Sequence, residues 1–141
     1  MVGIVIVSHS ARLADGVVEL ARGMAGPDVP IEAAGGIDEP GELGTDAVRV
    51  MEAIERARGE GVLVLMDLGS AVLSAETALD LLPEEQRARV RLCEAPIVEG
   101  AVAAAAAARA GGTLDDVARE ARAGLAGKIA HLGGGGTEAA P

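Results

Sequence analysis

Two hydrophobic periods alternate along this chain. Ile4-Val5-Ile6-Val7 and Val62-Leu63-Val64-Leu65-Met66 are unbroken apolar runs, which read as strands buried on both faces of a parallel sheet. Each run ends in a small polar turn, Ser8-His9-Ser10 after the first and Asp67-Leu68-Gly69-Ser70 after the second. Between the strands the apolar residues fall at helical spacing. Leu13, Val17, Leu20, Ala21 and Met24 predict a helix from about Ala11 to Met24, closed by Gly26-Pro27. Residues 29–34 read as a second strand, and Pro30 places it at a sheet edge before the Gly35-Gly36 loop. Thr45 is the expected N-cap of a second helix with Val48, Met51 and Ile54 facing inwards and Ala47 and Val50 beside them. Ser70 is expected to cap a third helix, with Val72, Ala75, Leu79 and Leu82 as its stripe and Pro83 as its stop.

The remainder continues the alternation. Residues 89–93 predict a fourth strand, Ala95-Pro96 its exit turn, and residues 97–110 an Ala-rich helix closed by Gly111-Gly112. Thr113 and Asp116 make a capping-box start to a last helix with Leu114, Val117, Ala118, Ala121 and Leu125 on one face. The expected domain covers residues 1–130, and residues 131–141 read as a Gly-rich tail or linker. There is no internal repeat. The fold class is α/β, a three-layer sandwich whose central, mainly parallel sheet has the order 2-1-3-4. That order sets the ends of strands one and three side by side, so His9 and Asp67 meet at the carboxyl edge, where open sheets bind ligands.

Composition narrows the function. The chain has no Phe, Tyr or Trp and a formal charge of -10, which removes stacking platforms and repels phosphate backbones, so nucleic acid is excluded as a partner. Cys93, the single cysteine, reads as a buried thiol in a reducing compartment. No stretch reads as a signal peptide or a membrane span, and the expected location is cytoplasmic.

The candidate chemistry lies at the strand ends. Imidazole is nucleophilic near neutral pH, and a carboxylate on one ring nitrogen fixes the tautomer that presents the other lone pair. His9 is the expected nucleophile and Asp67 its orienter, with Ser8, Ser10, Gly69 and Ser70 as donors to phosphoryl oxygens. A receiver-like protein would be phosphorylated at the position of Asp67, but it needs an acidic pair where this chain has Ser8-His9-Ser10. A serine hydrolase lacks a G-x-S-x-G elbow here, and a nucleotide or flavin module lacks both glycine-rich fingerprints. His131, the only other histidine, reads as a solvated residue, and two histidines do not make a metal site.

Val5-Ile6-Val7-Ser8-His9-Ser10, Ala33-Ala34-Gly35-Gly36, Leu43-Gly44-Thr45, the run Val62 to Ala71 and the run Glu94 to Ala101 resemble the phosphoryl-carrier subunit of phosphoenolpyruvate-dependent dihydroxyacetone kinase. That family is similar in fold to the IIA domain of mannose-type sugar phosphotransferase systems. The resemblance implies a homodimer in which His9 takes a phosphoryl group from phospho-HPr, itself charged by enzyme I, and passes it to ADP on a kinase subunit. It implies that Gly36 and Thr45 join the phosphoryl-binding residues and that no cofactor is bound by this subunit, ADP and ATP being held by the partner. The alternative is a mannose-type IIA domain donating to a IIB domain. Asp46 and Ser74 depart from the family pattern, and Asp46 is expected to face outwards from the start of its helix, where its charge suits the dipole.

Overall fold

A computed structural model describes residues 1–133. Its elements are β1 (Gly3–Ser8), α1 (Ala11–Ala25), β2 (Ile31–Gly35), α2 (Ala47–Arg56), β3 (Val62–Met66), α3 (Gly69–Leu81), α4 (Glu84–Arg87), β4 (Val90–Cys93), α5 (Ile97–Arg109), α6 (Leu114–Arg122), a 3-10 turn (Ala123–Leu125) and α7 (Ala126–Gly133). The strands form one sheet in the order β2-β1-β3-β4, and every pairing is parallel. Pro30 lies just before β2, where its carbonyl accepts from the Ile4 amide at 2.8 Å, so the missing proline N–H costs the ladder nothing.

The alternation of side chains along β1 and β3 divides the core in two. Ile4, Ile6, Leu63 and Leu65 face α1, α5 and α6, while Val5, Val7, Val62 and Val64 face α2 and α3. With no aromatic side chain to fill space, the helices turn alanine rows to the sheet: Ala14 and Ala21 in α1, Ala71, Ala75 and Ala78 in α3, and Ala101, Ala104, Ala105 and Ala108 in α5 are all fully buried. The same packing corrects several expected faces. Leu13, Leu20 and Met24 are 43%, 49% and 52% exposed, and Val48 and Val72 are likewise turned out. A methyl row lets a helix approach the sheet more closely than a leucine row, and Val17, Val18, Val50 and Ile54 supply the bulk at its margins.

Gly35 is where this close packing reaches the site. A Cβ added there would lie 2.8 Å from Ala11 Cα, Ala14 Cβ and Ser10 O, so only a glycine lets the end of β2 press against the first turn of α1. Cys93 is buried, as expected. His131–Gly133 close α7 and leave His131 exposed, while the rest of the expected tail, residues 134–141, lies outside the described residues. No helix among the described residues is long and apolar enough to cross a membrane.

Candidate active site

β1 ends at Ser8 and β3 at Met66, and their parallel register pairs Val7 with Met66. The next residues, His9 and Asp67, therefore leave adjacent strand ends side by side. The Asp67 carboxylate receives four donors. Oδ2 accepts from the Ser8 hydroxyl at 2.8 Å and the His9 amide at 3.0 Å. Oδ1 accepts from the His9 ring at Nδ1, 2.9 Å away, and from the Leu68 amide at 2.6 Å. An ionised carboxylate has no proton to give, so Nδ1 carries the hydrogen and Nε2 of the neutral ring carries the lone pair. Nε2 meets the Ser70 hydroxyl, which is the donor in that contact.

Burial pushes the Asp67 carboxyl up, but the hydrogen bonds from Ser8, the His9 ring and the His9 and Leu68 amides outweigh it and hold the group below its ordinary 3.8. A carboxyl depressed in the folded state adds stability above its unfolded pKa, and that stability is lost as pH falls through the folded value. Ser8→Ala removes the strongest of the lowering bonds. In urea midpoints taken between about pH 5 and pH 2, its acid loss is expected to begin at a higher pH than in the wild type.

Asp67 and His9 differ in access, with side chains 11% and 26% exposed. The reactive nitrogen sits beside the start of α3, whose backbone bonding begins with the Ala71 and Val72 amides on Leu68 O. The Gly69 and Ser70 amides, the first two of α3, have no acceptor within the helix and can meet an anion. The arrangement can form and break an N–P bond: Nε2 supplies the electron pair, Asp67 stabilises the imidazolium that results, and the helix terminus faces the phosphoryl oxygens.

The other expected phosphoryl ligands divide in their roles. Ser70 and Gly69 lie where an incoming group would be. Ser8 does not: it is fully buried, the only polar residue so placed among the described residues, its proton goes to Asp67 and its oxygen accepts from the Ser10 amide at 3.0 Å. Ser10 is the N-cap of α1, accepting from the Leu13 amide at 3.1 Å. The Gly36 amide is spent on Ser8 O at 3.2 Å. Thr45 is not the N-cap of α2, and Ser70 does not cap α3. Asp46 takes the first place, its carboxylate accepting from the Val48 amide; the N-cap of α3 is Leu68, which makes no side-chain cap bond. Asp46 thus lies at the positive end of α2, where its charge suits the dipole as expected, and caps the helix in a solvent-exposed contact.

Two contributions escape residue-type reasoning, the Leu68 amide on Asp67 and the Gly44 amide, which donates to His9 O at 2.9 Å. Gly44 holds a φ of 153°, and the glycine of Leu43-Gly44-Thr45 was the one signal for it.

Residues 3–118 match the model of the EIIA-man family, described as the PTS system fructose IIA component. The chain is 55% identical over 136 residues to the DhaM phosphoryl donor subunit of PEP-dependent dihydroxyacetone kinase from Escherichia coli, covering 94% of this chain and 29% of that protein. It therefore spans under a third of that relative. A DhaM subunit of PTS-dependent dihydroxyacetone kinase from Lactococcus lactis is 40% identical, covering 82% of this chain and 89% of its own. Among solved structures, a protein of unknown function superposes with a TM-score of 0.77 at 37% identity, over 86% of this chain and 92% of that one. The phosphotransferase component EIIA of Streptococcus agalactiae shares the fold, with a TM-score of 0.66 at 20% identity over 92% of this chain and 95% of its own. The expected parallel α/β sandwich thus agrees with the solved structures and the expected kinship with the similar sequences, and the chain belongs to the EIIA-man family.

Proposed function

We propose that this chain is a phosphohistidine carrier that takes a phosphoryl group from phospho-HPr on His9 Nε2 and hands it to ADP on the kinase subunit of a dihydroxyacetone kinase. The observation that carries the reading is the four-donor Asp67 carboxylate, which keeps the proton on Nδ1 and the lone pair on Nε2. The names of the similar proteins, a phosphoryl donor subunit and a phosphotransferase subunit of dihydroxyacetone kinases, favour a nucleotide acceptor over a sugar-permease IIB domain. In the first step the Nε2 lone pair attacks phosphorus, the donor's N–P bond breaks and the donor imidazole leaves. In the second, a β-phosphate oxygen of ADP attacks, and the His9 N–P bond returns its electrons to Nε2. The carrier works as a cytoplasmic homodimer and needs no cofactor of its own, the nucleotide belonging to its partner.

Incubation with phosphoenolpyruvate, enzyme I and HPr is expected to label the wild type but not His9→Ala. The label is expected to be lost in acid, to survive alkali, and to discharge onto the ADP-loaded kinase subunit. Labelling of His9→Ala, or a base-labile label that depends on Asp67, would overturn the reading in favour of an aspartyl phosphate.

A further inference from the structure

Ser70 meets Nε2 with its hydroxyl, and its backbone is held from outside α3. The Thr45 hydroxyl donates to Ser70 O at 3.2 Å and lies 2.6 Å from Ser74 Oγ. Thr45 has a single hydroxyl proton, and the Ser70 carbonyl takes it. The Ser74 hydroxyl must therefore be the donor in the shorter contact. The hydrogen bonds run in one direction, from Ser74 to Thr45 to the Ser70 carbonyl. On the other side of the same segment, the Gly44 amide holds His9 O at 2.9 Å. Gly44 and Thr45 are neighbours in the chain, so one short piece of the loop between β2 and α2 grips both halves of the site. It holds the His9 turn by an amide and the Ser70 turn by a hydroxyl.

We propose that Thr45 and Ser74 are positioning residues for transfer at His9, setting where the Ser70 hydroxyl and the first amides of α3 stand relative to Nε2. The proposal rests on the carrier reading. Neither hydroxyl touches the reacting atoms; both act through Ser70. In the resting protein the Ser70 hydroxyl occupies the lone pair that phosphorus must reach, so it has to swing onto a phosphoryl oxygen when the N–P bond forms. The Ser70 carbonyl, held by Thr45, is the fixed point about which that side chain turns. Without it, donor atoms near the phosphoryl group are misplaced by fractions of an ångström, and such errors weigh on the transition state more than on partner docking.

The test is steady-state transfer from phospho-HPr to Thr45→Val, Thr45→Ser and Ser74→Ala. Thr45→Val keeps the shape and removes the donor. Its kcat is expected to fall roughly ten- to a hundredfold with KM for phospho-HPr unchanged, and Thr45→Ser is expected to restore it. Ser74→Ala is expected to give a smaller fall of the same kind. Nitrogen NMR of the His9 ring reads the environment of Nε2 directly, and its resonance is expected to shift in Thr45→Val and return in Thr45→Ser. Wild-type kcat in a folded Thr45→Val, or a rise in KM alone, overturns the proposal; if that variant does not fold, Ser74→Ala decides by the same criteria. Failure of the wild type to take label on His9 would sink the carrier reading and this proposal with it. Normal wild-type transfer with an unimpaired Thr45→Val would sink the proposal alone.

Discussion

Asp67→Asn is expected to slow phosphoryl uptake on His9 by roughly a thousandfold, although it barely alters side-chain size. Each carboxylate oxygen accepts two donors, one of which is a backbone amide that cannot turn away. An asparagine must set its NH2 against one of these pairs. If the NH2 faces the histidine ring, Nδ1 becomes the acceptor, the ring proton moves to Nε2 and the nucleophilic lone pair is lost from the reactive position. If it faces the other way, the NH2 opposes the His9 amide and the Ser8 hydroxyl in a site where Ser8 is fully buried. Either orientation leaves donors unsatisfied, and stability is expected to fall by about 2 kcal/mol. Rapid-quench phosphorylation and urea unfolding of the same preparation check both effects. A variant that takes up phosphate at the wild-type rate would show that the carboxylate does not set the tautomer.

Gly35→Val is the second change with a large expected effect. The added side chain would enter where even its Cβ would lie 2.8 Å from the backbone of Ser10 and Ala11. Backbone at that distance cannot give way as a flexible side chain does. The first turn of α1 must lift from the sheet, at about 3 kcal/mol, lowering the thermal midpoint by roughly 10 °C. Because that turn follows directly on His9, phosphoryl uptake is expected to fall too, including at temperatures where the variant is folded. Calorimetry and labelling at low temperature separate the two losses. A midpoint within a degree or two of wild type would mean that β2 and α1 are not locked together at Gly35.

The contrast between these two sites explains what could be read from the sequence. β1 and β3 were legible because their unbroken apolar runs have no other home than a doubly covered sheet, and the Pro30 signal sorted β2 to the edge. The meeting of His9 with Asp67 followed from strand order alone. Helix faces were harder: in α1 and α3 the buried rows are alanines, and a reading weighted towards large residues chose Leu13, Leu20 and Val72. Thr45 and Asp46 are both good caps, and what separated them was the distant claim of Ser70 and Ser74 on the Thr45 hydroxyl. Ser8 looked like a phosphoryl ligand until its burial showed that its hydroxyl serves Asp67. The Leu68 amide carries no signal in a residue type, since every residue but proline has one, and the Gly44 amide carries only that of its glycine. The single turn of α4 and the separate helix α7 were not anticipated. Both are short segments beside a proline or glycines, where periodicity has too few residues to register.

The partners at His9 lie far from it along the chain, Asp67 at a separation of 58 residues and Ser70 at 61. They are brought together by the parallel pairing of β1 with β3, which must close over β2 and two helices. Contacts of such long range form slowly, because the loop entropy is lost before the pairing rewards it. The His9 ring therefore meets the carboxylate that sets its tautomer only when the centre of the sheet closes. In a chain with no Trp or Tyr to fluoresce, the proposed uptake of a phosphoryl group on His9 would, as it recovers during refolding, serve as a clock for the closure of the β1–β3 ladder.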